Sequence, residues 1–183
     1  FVEIGTEDYK ESNTRFLIMK RNWTGYLIEG DKKHAAKIKN QKIFWKHDLN
    51  IINQYVDREN VNNILEKLKL PKDIGLLSLD IDGIDYWIWE RIEVVKPIIF
   101  ICEYNAVFGD LRSLTIPYNK NFNRNKYHHS NLAFGASIKA FQKLATKKGY
   151  VFVGTNSNGV NAYFIKKNYF KKISKKIKNI KKF

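Results

Sequence analysis

Short apolar runs alternate along the chain with stretches whose apolar residues recur every third or fourth position. Phe1-Val2-Glu3-Ile4 closes on Gly5 and predicts a first strand. Asn13-Thr14 then stands where a helix cap is expected, ahead of Phe16, Leu17 and Met19. Residues 25–29 predict a second strand and residues 34–40 a short helix. Lys42-Ile43-Phe44-Trp45 reads as a third strand closing on His47-Asp48. Val61, Ile64, Leu65 and Leu68 hold helical spacing until Pro71 ends it.

Residues 74–82 form an apolar run that ends in acids, which predicts a fourth strand buried on both faces. Residues 85–94 follow as a helix. Pro97 leads a fifth strand through Cys102, which reads as a core residue. Residues 106–134 lack periodicity and predict a long loop, and such loops usually carry function. Residues 136–148 predict a helix stopped by Gly149. Two further strands, 150–155 and 160–165, flank Asn156-Ser157-Asn158-Gly159 as a hairpin.

Strands alternating with helices imply a parallel sheet covered on both faces. The expected fold is therefore α/β: a Rossmann-like, doubly wound, mostly parallel seven-stranded sheet closed by a C-terminal antiparallel β-hairpin. It occupies residues 1–165 as one domain. Residues 166–183 form a separate tail, with Phe170, Ile173, Ile177 and Ile180 on one stripe of a lysine-rich helix.

Composition supports a folded globule, with 44% hydrophobic and 14% aromatic residues in 183. No apolar run approaches the roughly 20 residues of a membrane span. The chain starts inside an apparent strand, so a preceding segment is expected. A single cysteine rules out an internal disulfide and suits a reducing, cytoplasmic location. The formal net charge of +15 is uneven, because the tail holds nine lysines and no acid. The rest carries 24 basic against 18 acidic side chains. Such a tail fits an anionic membrane surface, a nucleic acid, or packing on its own domain. No RNP, zinc or helix-turn-helix signature supports specific nucleic-acid recognition.

Acids mark the strand ends: Glu3, Glu29 and Asp31, Asp48, Asp80 and Asp82, and Glu103 with Asn105. In a parallel sheet they share one edge, where ligands collect. The first turn has one glycine, Gly5, rather than G-x-G-x-x-G, and two acids follow it. That disfavours dinucleotide phosphates and favours a nucleoside without them. S-adenosylmethionine, with a ribose, an ammonium and a sulfonium, fits.

F-V-E-I-G-T-E-D-Y-K-E-S-N-T (1–14), Y-L-I-E-G-D (26–31), L-L-S-L-D-I-D-G-I-D-Y-W-I-W (76–89) and G-T-N-S-N-G-V-N-A-Y-F (154–164) resemble the FkbM-like group of class I S-adenosylmethionine-dependent methyltransferases. The E-x-G and D-x-D-G pieces are the most specific. Tyr9 departs from the pattern where a second glycine is common. The resemblance implies that Glu3, Gly5 and Thr6 border the methionine part of the cofactor. Glu29, with Gly30 and Asp31 in the same turn, would take the ribose. Asp48 would meet the adenine and Asp80 would lie beside the sulfonium. Two mechanisms stay open: Asp80 or Asp82 as general base, or Mg²⁺ held by Asp80, Glu103 and Asn105. The expected acceptor is a sugar, glycan or other small hydroxylated molecule. A nucleoside-binding module without transfer activity is the alternative, and a basic membrane-surface or nucleic-acid protein a third. Asp85 is expected to cap the helix after the fourth strand. Tyr118, Phe122 and Tyr127 are candidates for an acceptor pocket.

Overall fold

Seven strands share one sheet in the computed structural model, which describes residues 1–177. In chain order they are β1 (Val2–Ile4), β2 (Gly25–Glu29), β3 (Leu49–Asn53), β4 (Leu76–Leu79), β5 (Ile99–Glu103), β6 (Tyr150–Thr155) and β7 (Asn161–Lys166). The helices are α1 (Arg15–Arg21), α2 (Lys32–Lys39), α3 (Lys42–Lys46), α4 (Val61–Lys67), α5 (Asp85–Arg91), α6 (Arg124–Tyr127), α7 (Ile138–Lys148) and α8 (Lys167–Ile177). Spatial order is β3-β2-β1-β4-β5-β7-β6. The first five strands are parallel, and β7 lies antiparallel between β5 and β6. The expected doubly wound sheet with its terminal hairpin is present.

The central strands are apolar because both of their faces are covered. Every residue of β1 and β4 is buried. Leu77 and Leu79 point to the face covered by α4, α5 and α7, where they meet Ile64, Ile88 and Phe141. Leu76 points to the other face, with Ile18 of α1, Ile38 of α2 and Ile43 of α3. Trp89 of α5 stacks on Phe100 of β5, with centroids 4.0 Å apart and planes 12° from parallel. Trp89 is therefore core, whereas Trp87 turns to the long loop and donates to the Ile116 carbonyl at 2.9 Å.

The third strand is displaced from its expected place. Residues 42–46 form α3, in which Ile43 is buried while Trp45 is 78% exposed. The apolar triplet there is one amphipathic turn, not a strand. β3 lies just after it, in Leu49-Asn50-Ile51-Ile52-Asn53, and pairs only with β2. Its outer edge faces solvent, so it tolerates two asparagines and lacks a strong apolar signal.

α8 continues directly from β7 and packs against β6 and β7, leaving Phe170 and Ile173 half-buried. Ile180 of the expected stripe lies outside the described residues. No described helix is long and apolar enough to cross a membrane.

Candidate functional site

The chain runs from β1 outward through β2 and β3, then returns to β4 and runs outward the other way through β5. Ligands in open α/β sheets settle at such a switch point, beyond the carboxyl ends of the strands. Here the switch lies between Gly5 and Asp80. Gly5 has φ 77°, and a Cβ on it would stand 1.7 Å from the Asp80 carbonyl oxygen. The two strand ends are thus in backbone contact. A cleft of about 680 Å³ opens above them, lined among others by Gly5, Glu29, Gly30, Tyr55, Asp57 and Asp80.

The turn after β1 is held from behind. Glu3 is buried and accepts from the Ser12 hydroxyl at 2.7 Å, the Asn13 amide at 3.1 Å and the Thr14 hydroxyl. Burial raises its carboxyl above the ordinary range against these bonds. Glu3 fastens residues 12–14 to β1 and does not line the cleft, contrary to the role the resemblance implied. Tyr9 adopts φ 59° and is fully buried on the α1 side, sharing a 2.9 Å hydrogen bond with the Thr14 hydroxyl. Burial pushes its phenol up to about 12. The departure at this position anchors the turn and leaves the cleft open.

At the end of β2, Glu29 is set by its neighbours. The Thr6 amide donates to one carboxylate oxygen at 3.0 Å, and the Asp31 amide to the other at 2.8 Å. Thr6 is therefore a positioning residue. Asp31 caps α2, accepting from the Lys33 amide at 2.6 Å and the His34 amide at 3.2 Å. Asp48 is not part of the site. It precedes β3, and its carbonyl accepts from Gly25 at the start of β2 while its carboxylate accepts from Thr24. That places it at the opposite edge of the sheet.

The shift of β3 brings up residues that the sequence pattern missed: Tyr55, Val56 and Asp57. The Tyr55 ring lies over Gly30, where an added Cβ would come within 2.3 Å of it. Asp57 is buried, takes the Glu59 and Asn60 amides, and pairs with Lys120 at 3.0 Å. Burial alone would raise its carboxyl, but Lys120 and the two amides outweigh burial and hold it low. These residues line the cleft, and Asp48 does not.

On the other side of the switch, Asp80, Asp82 and Glu103 converge. Each offers one oxygen within 4.8 Å of the other two. Asp82 is exposed and stands on a left-handed backbone, φ 59°. Glu103 is buried, and its Oε2 has no hydrogen-bond partner. Arg124 of α6 approaches Asp82 at 3.2 Å and Glu103 at 3.8 Å. Burial is the larger cause that drives both Asp80 and Glu103 far above the ordinary carboxylate range. Repulsion from Asp85 and Asp82 adds to it at Asp80, and from Asp80 and Asp85 at Glu103. Near neutral pH such a group keeps a proton or takes a cation.

Two expectations are corrected around this cluster. Ile84 is the N-cap of α5, and Asp85 accepts from the Ile81 and Gly83 amides, each at 3.0 Å. Fully buried, it ties the D-x-D-G turn shut, and burial pushes its carboxyl up to about 6. Asn105, expected beside the metal, is engaged by the long loop instead. Its amide nitrogen donates to the Leu132 and Phe134 carbonyls, and its oxygen accepts from Val107. It pins both ends of the long loop to β5.

That loop roofs the cluster. Phe122 packs on Gly83, where a Cβ would come within 2.2 Å of its ring, and Tyr127 lies 5.1 Å from Phe122. Tyr118 instead donates to Glu59 at 2.6 Å, buckling the loop to the start of α4. His128 and His129 are exposed and stack on each other. Ile81, Asp82, Phe122, Arg124 and three asparagines, Asn123, Asn125 and Asn131, line a second hollow of about 450 Å³.

No family model and no curated protein matches the chain. Solved structures do. A Staphylococcus aureus protein assigned as a caffeoyl-CoA O-methyltransferase aligns with TM-score 0.56 and 16% identity, over 90% of this chain and 74% of that one. A chain of the complex between the Haloferax volcanii Trm112 methyltransferase activator and a protein assigned as a methyltransferase aligns with TM-score 0.52 and 11% identity, over 90% and 80%. The N-terminal domain of EvdMO1, solved with SAH bound, aligns with TM-score 0.53 and 7% identity, over 90% and 71%. The fold is that of the class I methyltransferases.

Proposed function

We propose that this chain is an S-adenosylmethionine-dependent methyltransferase of the FkbM-like kind that methylates a hydroxyl of a sugar, glycan or similar small acceptor. One observation carries the reading: half-buried Asp80 and buried Glu103, whose Oε2 has no hydrogen-bond partner, stand together at the switch point beside a nucleoside-sized cleft. The residues present fit the cofactor. Gly5 lets backbone line the cleft floor, Glu29 keeps lone pairs free for a ribose diol, and no basic nest awaits a phosphate at the first turn. When bound, S-adenosylmethionine supplies a methyl group activated by the sulfonium. Asp80 accepts the acceptor's hydroxyl proton, and Glu103, alongside, spreads that proton within the pair. Asparagines and an aromatic in the adjoining hollow suit hydroxyl groups and a sugar face.

A second reading is favoured by the carboxylate triad. A divalent cation fits Asp80, Asp82 and Glu103, because three hard carboxylate oxygens from two neighbouring strand ends converge there, one from each residue. It would orient and acidify the acceptor hydroxyl. Titration calorimetry with Mn²⁺ alone decides between the two: Glu103→Gln should lose a saturable binding event, and a wild-type protein that takes up no metal removes this reading.

Calorimetry with S-adenosylmethionine tests the main proposal. Glu29→Gln should weaken binding roughly tenfold, the size of one charge-assisted hydrogen bond. Asp48→Ala should leave affinity unchanged, since Asp48 sits at the opposite edge of the sheet. Absence of binding at millimolar cofactor would sink the proposal.

A further inference from the structure

The edge of the sheet opposite the cleft is basic. The segments entering β4, β5 and β6 and the one leaving β7 all meet there. They set Lys72, Lys96, Lys147 and Lys148 around a cavity of about 370 Å³ floored by Trp89 and Tyr150. Lys166 and Lys167 leave β7 at the same edge, where the Lys167 amide donates to the Gly149 carbonyl at 2.9 Å. α8 then presents Lys171 and Lys172 to solvent beside half-buried Tyr169, Phe170 and Ile173. Three acids stand near these lysines: Asp73, bound to Lys166 at 2.7 Å, and Glu93 and Glu90, near Lys148, of which Glu90 is paired with Arg58. Asp48 shares the edge but lies beside β3, at the far end of the strand order. Lys72, Lys96 and Lys147 have no ion-pair partner among the described residues.

We propose that this edge is a docking face for a bilayer carrying anionic headgroups. The partner follows from two features together. Lysines from four separate segments, three of them contributing the unpaired Lys72, Lys96 and Lys147, make a charged plane to which a surface of phosphates is complementary. Beside it α8 offers an apolar stripe that is only half covered by the domain, and an apolar interface uses such a stripe while a polynucleotide backbone does not. The cavity between the ends of α5 and α7 admits one headgroup against its lysine rim. Docking here leaves the carboxylate-lined cleft facing away from the surface, because the two sit at opposite ends of the same strands. The charge asymmetry itself favours that orientation: Asp80, Asp82 and Glu103 are repelled by the lipid that attracts the lysines. Contact is peripheral, as no described helix spans a bilayer. The inference does not depend on the methyl-transfer reading.

Vesicle co-sedimentation of the full chain is the test, with two parts phosphatidylcholine to one part phosphatidylglycerol set against phosphatidylcholine alone. Binding to the mixed vesicles only is expected, weakening as salt rises. One lysine close to an anionic surface contributes a factor of about five, so K96E/K147E and K171E/K172E should each lower partitioning by roughly tenfold or more. All four side chains are exposed, and unchanged melting curves confirm that the fold is intact. Equal or undetectable binding to both vesicle types overturns the proposal, as does binding that neither double variant weakens. Tighter binding to a single-stranded RNA than to the mixed vesicles, at equal phosphate concentration, overturns it in favour of a nucleic-acid partner.

Discussion

Asp80→Asn is expected to cut methyl transfer by roughly a hundredfold to ten-thousandfold, the range for loss of a general base, with cofactor affinity retained. Asp80 lies where β4 ends, against the Gly5 turn and beside Glu103. The amide keeps the shape and removes the basic oxygen. In the wild type, activity should rise with pH as the Asp80–Glu103 pair gives up its proton, and the variant should lose that rise. Stability should run the other way. The native pair holds a proton where the unfolded carboxyls do not, so the native state binds more protons above about pH 4. Its stabilising effect is fully present below that pH and is lost as pH climbs through the raised native values. Asp85, raised to about 6, acts in the same direction. Melting temperature should therefore fall from mildly acidic to alkaline pH, and Asp80→Asn should flatten the fall. Transfer rates across pH, read beside melts on the same samples, provide the check. A variant with near wild-type turnover, or a wild-type melting temperature that rises into alkaline pH, would contradict this assignment.

Gly5→Ala should be the most damaging single methyl in the chain. Two costs combine. The left-handed backbone at φ 77° disfavours any L side chain by about 1–2 kcal/mol. The new methyl also meets a backbone carbonyl at 1.7 Å, and overpacking against backbone adds about 1–3 kcal/mol. A total near 3 kcal/mol corresponds to a drop of about 10 °C in a domain of this size. The same displacement pushes β1 from β4 and spoils the cleft floor, so cofactor binding should be lost along with stability. Gly83→Ala is the comparison. There the added methyl meets the Phe122 ring, a side chain that can swing, and the melting temperature should fall less. Equal effects from the two substitutions would mean that the contact between the strand ends is not what Gly5 protects.

The switch-point acids were legible because they follow the most apolar strands. A strand buried on both faces must be apolar throughout, so its end is marked by the first charge, at Glu29, Asp80 and Glu103. Edge strand β3 obeys no such demand. As the outermost strand it is partly wet and admits Asn50 and Asn53, and the neighbouring Ile43-Phe44-Trp45 offers a stronger apolar run that is in fact one helical turn. The misplaced strand end pointed to Asp48, which lies away from the cleft, and hid Tyr55 and Asp57, which line it. Asn105 and Glu3 show a different limit. Their residue types suit a ligand, but each is consumed by bonds to segments distant in sequence, Leu132 and Phe134 for Asn105, Ser12 to Thr14 for Glu3.

Alternation of apolar runs with helical spacing by itself determined the doubly wound sheet, its terminal hairpin and the acidic edge, because burial on both faces and the period of each element are local constraints. Tertiary structure alone decided which acids remain free. Hydrogen-bond partners are allotted by packing: Glu3, Asp31, Asp85 and Asn105 received theirs from nearby turns and loops. Glu103 was left with a buried oxygen that has none, beside Asp80, and the proposed chemistry rests on that unmet demand.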